Sequence, residues 1–206
     1  IGMTPYDLMT LAQVKSTKAF MKANIEERKP FRAFENVNQH KNGSQIYFLT
    51  SGVPIFSADG SIIGYRGVHK DITVRRQYEM ESIKRRAEFE AIVNSISDAI
   101  MFVDPQHHFI MINPAFTKMF GYQLEDVIGH TSQMIYADPE NYFKQGKKRF
   151  SKDAATDQSI FENEYRRKDG TLFTGDTLGA RVINENGELI GFLGVIRDIT
   201  ERKQME

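Results

Sequence analysis

Short apolar runs punctuated by turn residues dominate the second half of this chain. Residues 99–103 (AIMFV) form an unbroken apolar stretch that Asp104-Pro105 closes, and residues 107–112 (HHFIMI) form a second short run that ends apolar. Runs of this length bounded by turn formers predict strands, and the tight connection makes the pair a hairpin. Asn113-Pro114 then predicts a helix start, with Asn as N-cap and Pro at the first helical position. Phe116, Met119 and Phe120 give that helix an apolar face before Gly121 stops it. A short helical turn is predicted over 123–128. A longer helix is predicted from Asp138-Pro139-Glu140 to about Phe150, with Tyr142 and Phe143 available for packing. Strands follow at 159–167, 172–183 and 189–198, separated by the turn sequences KDGT and NENGE. Two strands, several short helices and three strands predict an α+β domain: a five-stranded antiparallel sheet with helices on one face.

A shift of 127 positions lays the first part of the chain over the second without a gap, carrying Gly64 onto Gly191. Ile1-Gly2 falls on Ile128-Gly129, Phe34-Glu35-Asn36 on Phe161-Glu162-Asn163, and Gly43 on Gly170. The decapeptide GYRGVHKDIT falls on GFLGVIRDIT. The matches gather at turns and strand ends, where backbone geometry is most demanding. The segment 87–127 has no counterpart after residue 1. Either the chain begins inside a domain, as Ile1-Gly2-Met3 suggests, or the first copy is a half-domain completed by another chain. The expected organisation is the C-terminal part of a first copy over 1–73, a connecting helix over 74–92, a complete copy over 93–200 and the start of an exit helix over 201–206.

Each decapeptide leads into helix-like sequence. Residues 74–96 contain neither Gly nor Pro, and Glu81–Arg85, Lys84–Glu88 and Arg86–Glu90 are spaced for i,i+4 pairing. Met80, Ile83, Ala87, Phe89, Ile92, Val93 and Ile96 add apolar contacts without a clean heptad. They serve a parallel dimer or packing back onto the chain's own sheet equally well. Asp198 and Thr200, like Asp71 and Thr73, stand where strand becomes helix. Thr is expected as the N-cap, and Asp as a partner for its hydroxyl or for nearby amides.

Composition narrows the function classes. The 27 basic residues balance 27 acidic ones, so no net field favours nucleic acid or an anionic membrane. No apolar run approaches the roughly 20 residues that span a bilayer. With no cysteine, thiolate metal sites and cysteine catalysis are excluded, and a reducing cytoplasm fits. The five histidines are scattered. His107-His108 sits at a hairpin, where adjacent side chains are expected to face opposite ways. No metal-binding, phosphate-loop or nucleophile-elbow motif occurs, so the chain is not expected to be an enzyme.

Asn113-Pro114-Ala115-Phe116, Gly121-Tyr122, Val127-Ile128-Gly129, Arg167-Lys168-Asp169-Gly170, Gly191-Phe192-Leu193-Gly194 and Asp198-Ile199-Thr200-Glu201-Arg202-Lys203, in this order and spacing, resemble a bacterial PAS domain with its C-terminal extension. The resemblance covers residues 87–206 completely and residues 1–79 as the later part of a second PAS. It implies a sensory or dimerisation module, covalently linked to an effector such as a histidine kinase or a diguanylate cyclase. It also implies that Asp71, Thr73, Asp198 and Thr200 transmit the signal from sheet to exit helix, and that the chain forms a homodimer through the PAS unit or the connecting helix. The strand face containing Phe192, Gly194 and Ile196 would look into a cavity, together with Thr177, Gly179, Phe116, Phe120, Ile135 and Phe143. That set makes either a small-ligand pocket or a collapsed core. In the first copy the wall would be Phe48, Thr50, Gly52, Tyr65 and His69, bulkier and more polar. Among PAS cofactors, a photoreactive flavin needs a cysteine. Haem commonly takes a histidine from the long helix, and residues 138–150 and 11–23 hold none. Redox flavins often sit beside a tryptophan, and the chain has none. Haem and flavin are thus disfavoured, leaving a small metabolite or no ligand; the alternative function is a ligand-free dimerisation scaffold.

Overall fold

The computed structural model describes residues 4–149 and 160–205. Two compact units, Ile1–Arg86 and Ala87–Glu206, divide inside a helix. The first unit opens with a 3-10 turn at Pro5–Leu8, followed by helix α1 (Leu11–Glu27) and strands β1 (Phe31–Gln39), β2 (Gln45–Phe56) and β3 (Ile62–Asp71). The strands form an antiparallel sheet in the order β1-β2-β3. Helix α2 (Thr73–Ser95) follows at once.

The second unit begins with the hairpin β4 (Ala99–Val103) and β5 (Phe109–Ile112). Helices α3 (Pro114–Phe120), α4 (Leu124–Val127) and α5 (Pro139–Arg149) come next, then β6 (Phe161–Arg166), β7 (Leu172–Ile183), β8 (Leu189–Asp198) and α6 (Thr200–Met205). The sheet is five-stranded and antiparallel, in the order β5-β4-β8-β7-β6. A 3-10 turn at Ser132–Ile135 was not expected from the sequence. The expected helix end at Phe150 and strand start at Ser159 lie outside the described residues.

The internal repeat is a repeat of register. Phe34 faces Thr50 as Phe161 faces Thr177, Gly52 faces Gly67 as Gly179 faces Gly194, and Phe48 faces Asp71 as Gly175 faces Asp198. In the second unit β4 pairs along the outer edge of β8. The matching edge of β3 pairs with no strand among the described residues.

Packing separates the two copies. Phe109, Phe116, Phe120, Val127, Ile135, Tyr165 and Ile196 are at most 2% exposed, each fully buried large side chain contributing about 1.5–3 kcal/mol. Phe116 stacks on Phe120 with ring centroids 4.5 Å apart, and the Phe120 edge meets Phe173 and Tyr165. In the first unit α1 buries only Thr17, and Phe31 is the one hydrophobic side chain of that unit in the buried class among the described residues. Helix α2 buries none of its residues; Tyr78, Ile83 and Ile92 are each more than 60% exposed.

Candidate functional site

The strand-to-helix joints are built alike in both copies. Asp71 Oδ1 accepts from the Thr73 amide at 2.8 Å, and Asp198 Oδ1 from the Thr200 amide at 2.9 Å. The isoleucine between them continues the sheet: Ile72 N–H donates to the Tyr47 carbonyl and Ile199 N–H to the Thr174 carbonyl. The same isoleucine carbonyl accepts the first helical bond, from Arg76 or Lys203. This corrects the expected cap. Isoleucine occupies the N-cap position, threonine is the first helical residue, and the capping oxygen comes from the aspartate two residues before the threonine. The aspartate reaches because an Asx turn spans two residues. In the first copy Thr73 Oγ1 accepts from the Tyr47 amide at 3.0 Å; the matching Thr200 Oγ1 is buried with no partner at bonding distance.

Two further contacts repeat. Arg76 pairs with Glu35 on β1, and Lys203 pairs with Glu162 on β6. Each ties the first turn of an exit helix to the strand at the far end of the β1-β2-β3 repeat. Asp198 is also gripped by Arg167 at 2.6 Å, whose guanidinium lies over the Phe173 ring and donates to the Met119 carbonyl at the end of α3. Burial pushes the Asp198 carboxyl up, but Thr200 and Arg167 outweigh it and hold the group below the usual carboxylate range. The Thr73 hydroxyl and amide likewise hold the Asp71 carboxyl down.

The interior of the second unit is nearly full. Its cavity measures about 20 Å³, close to the minimum that holds one water molecule. Thr177 and Phe192 line it, with Met101, His107, Tyr136 and Tyr142. Phe116, Phe120, Ile135 and Ile196 belong to the packed core rather than to the cavity wall. Gly179 is half-buried opposite Gly194. Phe143, expected in the pocket, is 58% exposed. One helical position rotates a side chain by about 100°, and Tyr142 takes the inward direction. The room that the glycines leave is taken: a Cβ on Gly194 would meet Met101 Cε at 2.8 Å, and one on Gly175 would meet Ile196 at 2.9 Å. Thr177 Oγ1 and Tyr165 Oη satisfy each other at 2.6 Å. Burial raises the Tyr165 phenol to about 12, so it stays neutral.

His107 reaches this cavity by an unexpected route. It sits at φ 68°, in the left-handed region that histidine tolerates better than most residues. This turns its ring to stack on Phe192 at 4.9 Å with planes 2° apart. Burial lowers its pKa below the ordinary histidine value. The strand expected from His107 begins only at Phe109, so the turn rather than strand alternation sets the His107 direction.

The first unit differs. Its cavity measures about 230 Å³ and is bounded by α1, the Pro5–Leu8 turn and the inner face of the sheet. Thr50, Gly52, Tyr65 and His69 line it; Phe48 does not, its ring instead meeting His69 edge-on at 5.8 Å. Asn36 Nδ2 donates to Thr50 Oγ1 at 3.3 Å, and Thr50 Oγ1 lies 2.9 Å from His69 Nδ1. Thr17 Oγ1, Asn36 Oδ1 and Asn38 Oδ1 are buried against this cavity with no hydrogen-bond partner. No sequence signal marked Thr17 or Asn38, and Asn36 stood out only as a matched position of the repeat. Among the described residues no group of His, Asp or Glu side chains is placed to hold a metal ion.

A five-stranded antiparallel sheet with helices over one face, leaving its last strand through an aspartate-capped helix, defines one domain type, and the shared register shows its C-terminal half written twice. The chain belongs to the PAS domain family, whose model matches residues 2–74 and 97–201. It is 33% identical over 124 residues to Two-component system protein A of Emericella nidulans, covering 57% of this chain and 17% of that protein. It is 26% identical to the C4-dicarboxylate transport sensor protein DctS of Rhodobacter capsulatus (66% of this chain, 21% of that protein) and 26% identical to the sensor protein kinase WalK of Staphylococcus aureus strain Newman (63% and 20%). The chain spans about a fifth of the length of these relatives. Among solved structures, the PAS domain of a Colwellia psychrerythraea protein superposes with a TM-score of 0.52 at 27% identity, covering 58% of this chain and 98% of that one. The family's role is sensory rather than catalytic. No helix among the described residues is long and apolar enough to cross a membrane.

Proposed function

We propose that this chain is the sensing and relay segment of a larger signalling protein. Input alters the interior of a PAS unit, the sheet adjusts, and the joints at Asp71/Thr73 and Asp198/Thr200 bias the helices that leave it toward a covalently linked effector. The observation that carries this reading is the repeated joint. In both copies the first turn of the outgoing helix is bonded to the last strand by the aspartate cap, to the neighbouring strand through isoleucine, and to the far strand by the Glu35–Arg76 or Glu162–Lys203 pair. A change in sheet curvature has three attachments through which to move the helix. Such a bias requires that the input bind two states of the sheet unequally.

The balanced charge and the lack of cysteine support a cytoplasmic setting. The exposed apolar side chains of α2 support a homodimer through that helix. The small, internally satisfied cavity of the second unit favours a scaffold role for that unit, with sensing placed in the first.

Hydrogen–deuterium exchange on the whole chain tests the relay. Losing a cap costs about 0.5–2 kcal/mol, so Asp71→Ala and Asp198→Ala are expected to speed exchange in the first turns of α2 and α6 by about 2- to 30-fold. Thr177→Val, buried in the sheet and opposite Ile196, separates a relay from a mere cap. It is expected to change exchange at Thr200 to Lys203 as well. Unaltered α6 exchange in that variant would refute the relay.

A further inference from the structure

The interior of the second unit is nearly full, with a cavity of about 20 Å³, yet α2 leads into this unit and α6 leads out of it. A set of charged side chains joins the two helices over the outer face of the sheet. Asp98 stands between the end of α2 and the start of β4, and Arg197 stands on β8 just before the capping Asp198. The guanidinium grips the carboxylate with two bonds, Nε to Oδ1 at 2.9 Å and Nη2 to Oδ2 at 2.7 Å. Asp176 on β7 is the cross-strand partner of Arg197, so the two side chains leave the same face of the sheet. Their neighbours Thr177 and Ile196 point into the core, which puts this pair on the outside. Asp98 first, and Asp176 after it, raise the Arg197 pKa above the ordinary arginine value. Asp176 in turn lies 3.6 Å from Arg202 in the first turn of α6. Charge therefore alternates from the end of one helix to the start of the next: Asp98, Arg197, Asp176, Arg202.

The fold does not require this line. At the matched positions the first copy has Lys70 for Arg197 and Arg75 for Arg202, but Leu49 for Asp176. Leu49 faces Lys70 across the strands, so no carboxylate stands between the two cations. Arg75 turns along its own helix instead and bonds Glu79 at 2.7 Å. An isolated exposed ion pair contributes little, and two-pronged arginine–carboxylate geometry and networks are the exceptions. Here the placement matters more than the strength. Asn113 Nδ2 lies within 3.4 Å of the Val93, Ile96 and Asp98 carbonyls, so a shift in the last turn of α2 carries the Asp98 carboxylate with it. We propose that Asp98, Arg197 and Asp176 are positioning residues of a surface line that couples the end of α2 to the first turn of α6, leaving the packed core of the second unit unchanged. This rests on the relay reading of the chain and adds a path over the sheet to the one through it.

Hydrogen–deuterium exchange on the whole chain tests the line. Ala91→Gly, at an exposed position of α2, is expected to loosen the last turns of that helix by about four- to fivefold, with every side chain of the sheet in place. Exchange at Thr200 to Lys203 is then expected to speed by about 1.4- to 5-fold, the range that one exposed ion pair carries. With Arg197→Gln, and independently with Asp176→Asn, Ala91→Gly should still loosen α2 but no longer reach α6. Arg197→Lys keeps the charge without the two-pronged grip and should retain part of the response. A merely structural Arg197 would alter α6 exchange by itself and leave its response to Ala91→Gly intact. An undiminished response in Arg197→Gln or Asp176→Asn would therefore overturn the proposal. Silence of α6 toward Ala91→Gly, while Thr177→Val still alters it, would reject the surface line and leave the relay through the sheet standing; silence toward both would reject the relay as well.

Discussion

Asn113 is the residue whose removal should hurt the second unit most for its size. It is 1% exposed, and its Oδ1 accepts from two amides at 2.9 Å each, that of Ile100 on β4 and that of Phe116 in the first turn of α3. Its Nδ2 donates to the Asp98 carbonyl at 3.0 Å and lies within 3.4 Å of the Val93 and Ile96 carbonyls at the end of α2. Asn113→Ala removes the helix cap, worth about 1 kcal/mol. It strands the Ile100 amide, costing about 1–3 kcal/mol, and takes a donor from the Asp98 carbonyl for about 1 kcal/mol more. The sum is about 3–5 kcal/mol, a large part of the roughly 5–15 kcal/mol that stabilises a domain. Urea unfolding followed through the amide signals of Met101, Val103 and Ile196 reads this unit by itself, with an unchanged slope expected for an intact native state. A loss under about 1 kcal/mol would refute the argument, because the capping term alone exhausts it. Asn113→Asp sharpens the test. It keeps both accepted bonds but turns a carboxylate toward three carbonyl oxygens, so at pH 7 it should destabilise about as much as alanine. The deficit should shrink as pH falls and the carboxyl becomes able to donate.

Gly191→Ala should destabilise the second unit by about 1–3 kcal/mol or more, since φ is 156° and the new methyl would land on the Val103 carbonyl oxygen and 2.8 Å from the Phe102 ring. Gly64→Ala at the matching position meets nothing within 4 Å in this chain and should stay within about 0.5 kcal/mol; paired urea melts check both, and equal costs would sink the distinction. His107 carries a depressed pKa in the folded state, caused first by burial, so the unfolded chain binds more protons as the pH drops below the ordinary value of 6.5. The stability that His107 contributes is complete above that value and is lost as pH falls toward the folded pKa. The stability of the second unit should therefore decline between pH 7 and 5, and His107→Phe should flatten that decline; an unaltered pH profile in His107→Phe would refute the assignment.

Backbone-level features were the legible ones. Short apolar runs, Asn113-Pro114 and the KDGT and NENGE turns located the sheet and the start of α3, because each is written in adjacent residues, and the gapless repeat of 127 positions located both joints. The 3-10 turn at Ser132–Ile135 was missed, being four residues long and too short to show a period. The choice between Tyr142 and Phe143 failed because two neighbouring aromatics fit either helix phase. The Glu35–Arg76 and Glu162–Lys203 pairs each span 41 residues, and no local pattern announces them. The largest gap was the first cavity. Thr17 and Asn38 are unremarkable as sequence, and only the fold brings them to one wall with Asn36.

In the proposed relay, α2 and Asn113 are the physical link from the first joint onward. On the proposed reading, input at the first sheet would reach α2 through Asp71, at the end of its last strand. The C-terminal turn of α2 ends on Asn113, which grips Val93, Ile96 and Asp98 carbonyls on one side and β4 and α3 on the other. A strain in β4 or α3 would thus meet the end of α2 through one side chain, which is why Asn113→Ala tests the link as well as the stability of the second unit.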